Sequence, residues 1–162
     1  MVLVRGMDMM GLYIDKDTEN ERNALNFSIK DLLFMLCKGI YGAVKEKNFD
    51  PFVQAVIDYA AKLLDGYAMK ENGTSKYNIS VDQYPESAEN HPEIWEDYDS
   101  EGERGMARAC AENLPADHTF FFTYDWRSDP YAVADEIAAT VDRAIAKSGH
   151  KKVTIVCASM GG

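Results

Sequence analysis

No run of about 20 apolar residues occurs in the chain, so no segment is expected to span a membrane. The first residues show no charged leader followed by a cleavage site, so no signal peptide is expected and the compartment is left open. Positive charge is scarce: 17 Lys and Arg stand against 27 Asp and Glu, a net charge of −10. A nucleic-acid partner wants a basic face, and this balance argues against one. Cysteine is sparse too, and Cys37, Cys110 and Cys157 form no disulfide framework. Internal repeats and low-complexity segments are absent. The acidity gathers in residues 82 to 103, which hold no Lys or Arg. Their carboxylates match no metal-loop spacing, so the segment reads as a solvated loop, and neither a metal nor a cofactor is expected. What remains, 162 residues with 46% apolar side chains, suffices for one domain.

The run Lys152-Val153-Thr154-Ile155-Val156 reads as a strand, and it leads directly into Cys157-Ala158-Ser159-Met160-Gly161-Gly162. A serine on a tight turn between a strand and a helix holds its hydroxyl clear of the backbone. Bulky side chains two places before or after it would collide. Gly161 meets that need, and Cys157 is small enough to be tolerated. An ordinary turn is the plain alternative, and the upstream context weighs against it. Thr119 to Tyr124 is a short aromatic run without helical period. Asp129-Pro130 then gives an N-cap and a proline at the first helical position. Val133, Ile137, Val141 and Ile145 form one apolar stripe, and Gly149 ends the helix. Strand, helix, strand and serine turn make a βαβ unit with parallel strands. Active sites of such sheets lie beyond the carboxyl ends of the strands, where Ser159 falls. Ser159 is therefore the candidate nucleophile. Cys157 is not, because the turn presents the reactive group two places later.

These residues resemble the nucleophile elbow of the α/β-hydrolase superfamily. Tyr124-Asp125-Trp126-Arg127 after a strand, a helix, and then the elbow about thirty residues on are similar to the lecithin:cholesterol acyltransferase-like lipases. The likeness covers residues 118 to 162, extends to residues 1 to 15 and is thin in between. Ala158 stands where such lipases often carry His, and Cys157 where Gly or Ala is usual; neither change removes a catalytic group. The resemblance implies a partial α/β-hydrolase fold, with a parallel sheet core, flanking helices and a helical insertion. The strand at Val2-Leu3-Val4 should lie between the strands at 119–124 and 153–157. The glycine loop Arg5 to Gly11 should supply one oxyanion-hole N–H, from Met7 or Asp8, and Met160 the other. A plain strand-to-loop turn would read the same way at this segment. The Asp8 carboxylate would oppose a developing oxyanion, so its side chain is expected to point away.

Two helices are expected between these parts. Ser28-x-x-Asp31 is a capping box, and Ile29, Leu32, Leu33, Leu36, Ile40 and Val44 carry a helix to about Glu46. Asp50-Pro51 opens a second, with Val53, Val56, Ile57, Ala60 and Leu64, ended by Gly66. Tyr77 to Val81 alternates like an edge strand, and a further helix is expected over Glu103 to Asn113. Residues 1–162 are read as one incomplete α/β-hydrolase domain, with the insertion at approximately 28–66 as a packing element or a lid.

The implied activity is a lipase, esterase or lipid O-acyltransferase acting on carboxylic esters through Ser159. In the family order the triad acid and His follow the Ser. His91, His118 and His150 all precede it, and the latter two enter strands at the wrong end. The chain therefore reads as the amino-terminal portion of such an enzyme, inactive by itself. Residues 152 to 157 are expected to form an exposed sheet edge that favours self-association. A thioesterase or peptidase on the same fold is the alternative among enzymes. The alternative outside them is a non-catalytic α/β binding module with Ser159 as a turn residue.

Overall fold

Val2-Leu3-Val4 is a continuous apolar run, and it forms the central strand of a parallel sheet. In the computed structural model, which describes residues 1–7, 11–95 and 113–162, β1 (Val2–Val4) is 0 to 1% exposed. β2 (Tyr13–Ile14), β3 (Arg22–Asn23), α1 (Ile29–Glu46), α2 (Asp50–Leu64), β4 (Ile79–Ser80), β5 (Phe120–Phe122), α3 (Pro130–Ser148) and β6 (Ile155–Cys157) follow, with short 3₁₀ turns between some of them. The architecture is mixed α/β. The chain divides into one unit of Met1–Asp8 with Val81–Gly162 and another of Met9–Ser80.

In the first unit the sheet order is β5-β1-β6, all parallel. Val2 lies opposite Phe120 on one side and Ile155 on the other. This is the order that the resemblance implies. A parallel strand covered on both faces has no reason to alternate polar with apolar residues, which is why β1 and β5 read as unbroken apolar runs. Leu3 and Phe121 pack with Ala88 and Ile94 on one face. Val2, Val4, Phe120 and Phe122 meet Val133, Ile137, Val141 and Ala144 of α3 on the other. Ala144, 2% exposed, continues the helical stripe where the sequence suggested Ile145, which is half-buried. Each buried Val or Leu here contributes about 1.5–3 kcal/mol. Asp129 caps α3 by accepting from Tyr131 N–H at 3.0 Å, and Gly149 closes it at φ +70°.

β6 starts at Ile155, later than the run from Lys152 suggested. Thr154 still joins the ladder, accepting from Val2 N–H at 2.9 Å. Among the described residues β6 pairs with β1 only, and Ile155 is 47% exposed. The outer edge of β5 is partly covered: Ala88 N–H donates to Thr119 O at 2.8 Å, and Thr123 Oγ1 donates to Asp82 O.

In the second unit β3, β2 and β4 form a small antiparallel sheet in that order. Of the expected edge strand at 77–81, β4 covers Ile79–Ser80, and Asn78 O accepts from Asp15 N–H at 3.0 Å just before it. Ser28 caps α1 as expected, accepting from Asp31 N–H at 3.3 Å. Phe49 is the N-cap of α2, while Asn48 Oδ1 accepts from Asp50 N–H at 2.9 Å. Gly66 follows α2 within a 3₁₀ turn, and a Cβ there would stand 2.1 Å from Ala24 O, so no other residue fits. No helix among the described residues is long and apolar enough to cross a membrane. The helix expected over Glu103 to Asn113 lies, apart from its last residue, outside the described residues, as does Asp8.

Candidate functional site

Three chain segments leave the carboxyl ends of the parallel strands, and their meeting point is built by backbone approach. The ladder runs one rung past β6, where Ala158 N–H donates to Val4 O at 3.1 Å. The chain then turns sharply through Ser159–Gly161, with Gly161 N–H on Ala158 O at 2.7 Å. Ser159 takes φ +49°, a left-handed conformation that a serine adopts at a cost of about 1–3 kcal/mol. The residue is exposed.

Glycine permits this turn at two places. A Cβ at Gly161 would stand 2.8 Å from Arg5 O and 2.9 Å from Val4 O. Both are backbone atoms of β1 and its exit, which have little room to move. A Cβ at Gly6 would stand 2.9 Å from both Ala158 O and Ser159 Cβ. The β1 loop therefore rests directly against the serine turn. The requirement for a small residue two places after Ser159 has a physical cause here, which is the exit of the central strand. The preceding small residue, Cys157, is exposed.

The third segment is Tyr124-Asp125-Trp126-Arg127. Tyr124 stacks on Phe122, with ring centroids 5.8 Å apart, and its hydroxyl donates to Met160 O at 3.1 Å. Burial raises the Tyr124 pKa above its ordinary value, with a smaller push from Cys157. Asp125 and Arg127 form a two-point ion pair at 2.9 and 2.6 Å, and the Arg127 side chain is 5% exposed. Asp125 Oδ1 also accepts from Arg127 N–H at 3.0 Å. This closed turn carries the chain from β5 to the cap of α3. The sequence singled out the tetrapeptide but not the reach of Tyr124 to the serine turn, nor the contact of Gly6 with Ser159. A glycine two places after a strand was the one available signal for the latter.

Met7 and Met160 follow the carboxyl ends of the neighbouring strands β1 and β6, and the two residues are 47% and 53% exposed. Ser159, Met160 and Met7 are thus gathered at one end of the sheet. The histidines are not. His118 and His150 enter β5 and the β6 segment at their amino ends, where their rings meet edge-to-face at 5.4 Å. His91 packs against Tyr84 after the turn at Ala88–Asn90, whose Ala88 bonds Thr119 at the amino end of β5. Among the described residues no group of three His, Cys, Asp or Glu side chains is arranged to hold a metal. A cavity of about 290 Å³ between β5, α3 and residues 83–85 does not include Ser159.

No protein-family model, curated protein or solved structure matches the chain.

Proposed function

We propose that Ser159 is the nucleophile of a lipase, esterase or lipid O-acyltransferase of α/β-hydrolase type, acting on carboxylic esters. The observation that carries this reading is the left-handed Ser159 in the turn directly after β6, with Gly6 and Gly161 pressed against it. Strain at the carboxyl end of a parallel strand is what lifts a nucleophile clear of its neighbours. In this mechanism a base takes the hydroxyl proton and Ser159 Oγ attacks the acyl carbonyl. The Met160 N–H and the Met7 N–H donate to the oxyanion. The leaving alcohol departs with a proton from the base, and water or a second alcohol then takes the acyl group. The resemblance of Tyr124–Arg127 and of the elbow to lecithin:cholesterol acyltransferase-like lipases supports a lipid ester over a thioester or a peptide.

His118 and His150 stand at the amino ends of their strands, so in this reading the base comes from another residue. The same observation favours one other reading, a non-catalytic module in which Ser159 only shapes a turn. One experiment separates them. The complete gene product should hydrolyse activated short-chain esters, and Ser159→Ala should lower kcat by roughly 10⁶-fold, the loss typical of a triad serine. The 162-residue chain alone should show no turnover above its own Ser159→Ala control. Activity that survives Ser159→Ala in the complete product would exclude this nucleophile, and a complete product without activity would favour the module.

A further inference from the structure

Each helix of the hairpin in the second unit carries more than one apolar seam, and the hairpin uses one of them; Phe34, Tyr41 and Val44 add a further exposed apolar run on α1. In α1, Leu32, Met35, Gly39 and Gly42 turn toward α2. Met35 and Gly39 are buried, and a Cβ at Gly39 or Gly42 would stand 2.7 Å from Phe52 or 2.6 Å from Pro51. About a third of a turn away, Ile29, Leu33, Leu36, Ile40 and Ala43 recur at alternating steps of four and three. α2 repeats the arrangement. Ala55 is buried against Gly39, while Phe49 at its cap, Val53, Val56, Ala60 and Leu63 recur at the same alternating steps. The handedness of an antiparallel pair puts both second seams on one face. The ion pairs Lys38–Asp58 and Lys62–Asp31 bridge the helices on the other. Ile29 is 64% exposed, Leu33 and Ile40 56%, Val53 51% and Phe49 78%. Near the closed end of the hairpin a cavity of about 340 Å³ is lined by Ile40, Ala43, Val44, Phe49 and Phe52, with Lys47 beside them.

We propose that this face is a homodimer interface, in which the hairpins of two copies pack as a four-helix bundle. Alternating steps of four and three are the spacing by which side chains of one helix enter the gaps of another. A lipid surface imposes no such register. Each helix of a four-helix bundle needs two seams about a quarter-turn or more apart, and each helix here has them. A second copy supplies the two missing helices with the same seams, and a two-fold axis closes the assembly. No charged residue lies in either second seam, so self-pairing brings no like charges together. The area suffices. Fifteen residues of α2 run about 22 Å, and two helices side by side are about 20 Å wide. That footprint removes on the order of 1,000 Å² from both copies, the lower bound for a specific interface.

Sedimentation equilibrium of the 162-residue chain tests this, with far-UV circular dichroism as the check on folding. The wild-type chain should be a dimer. Ile40→Glu and Val53→Glu should each weaken it at least about tenfold, by burying an unpaired charge in the seam. Ile29→Glu, at the exposed start of α1, is the variant least able to unfold the hairpin, and it should weaken the dimer too. Lys38→Ala, on the ion-paired face, should leave it unchanged. A wild-type monomer at every concentration overturns the proposal. So does a dimer that survives all three glutamates with helix content intact. A dimer dissolved by Ile155→Lys but not by Ile40→Glu would place the interface at the edge of β6 instead. A monomer that binds phosphatidylcholine vesicles through Ile40 would make the face a lipid-docking surface, and would also overturn the dimer.

Discussion

Val2, Leu3 and Val4 in the sheet and Ile29, Leu33 and Ile40 in the hairpin are the same kinds of side chain. The first three are at most 1% exposed, and the second three at least 56%. Geometry accounts for the difference. A central strand of a parallel sheet has neighbours along both edges and layers over both faces, so three residues are covered from every side. A helix presents its side chains all round, and one antiparallel partner covers one stripe of it. A strand flanked this way is complete within its unit, whereas the hairpin is half of a helical assembly.

The sharpest break of this comparison is a pair of equal truncations. Leu3→Ala removes a buried side chain and leaves a cavity, so it should cost about 2–5 kcal/mol of unfolding free energy. Leu33→Ala, measured at high dilution, should stay within about 0.5 kcal/mol, as surface substitutions do. Denaturant titration with hydrogen exchange reads the two units separately. Equal costs at high dilution would mean that Leu33 is covered within the chain. A Leu33→Ala cost that grows with protein concentration would sharpen the contrast, since it reports the hairpin finding its partner.

A second test moves from side chains to backbone approach. Gly161→Ala would put a Cβ 2.8 Å from Arg5 O, and Gly149→Ala would meet nothing within 4 Å but would keep a left-handed φ of +70°. Overpacking against fixed backbone costs about 1–3 kcal/mol, and a left-handed alanine about 1–2 kcal/mol. Gly161→Ala should also open the contact of the β1 loop with Ser159, which Gly149→Ala leaves alone. Amide exchange of Gly6 and Met160 measures this. Equal exchange in the two variants would mean that the loop and the turn are not coupled.

Much of the first unit was legible because its signals are local and mutually consistent. Asp129-Pro130 and Gly149 bound α3, and the apolar runs at 2–4 and 120–122 have no solvent side to hide. Ser28 and Asp31 marked the start of α1 in the same way. β2 and β3 were not legible, since two residues are too few to show a period, and their pairing depends on turns at Asp15 and Asp17 with positive φ. The late start of β6 escaped as well. Val153 to Val156 is uniformly β-branched, and only the register against β1 decides where pairing begins. At the site, sequence pattern pointed to Ser159, but the cause of its surroundings lay in distant backbone. Gly161 must be glycine because Val4 and Arg5 pass beside it, a contact between residues far apart in the chain.

The smallest expected effect concerns Tyr124, which ties the end of β5 to the serine turn through Met160 O. Tyr124→Phe keeps the ring on Phe122 and removes one partly exposed hydrogen bond, so it should cost about 0.5–1.5 kcal/mol, toward the lower end. Its pH dependence is more telling than its size. Burial raises the Tyr124 pKa in the folded state above the ordinary value of 10.0, so the protonated form is the one that folding favours. The contribution is then fully present below the unfolded pKa and is lost as pH rises through the folded one. A phenolate also has no proton to donate to Met160 O. The stability gap between wild type and Tyr124→Phe should therefore stay flat at neutral pH and close above about pH 10. A gap that widens with alkali would mean that the phenolate is the form the folded turn prefers, and that Tyr124 does not hold Met160 as a donor.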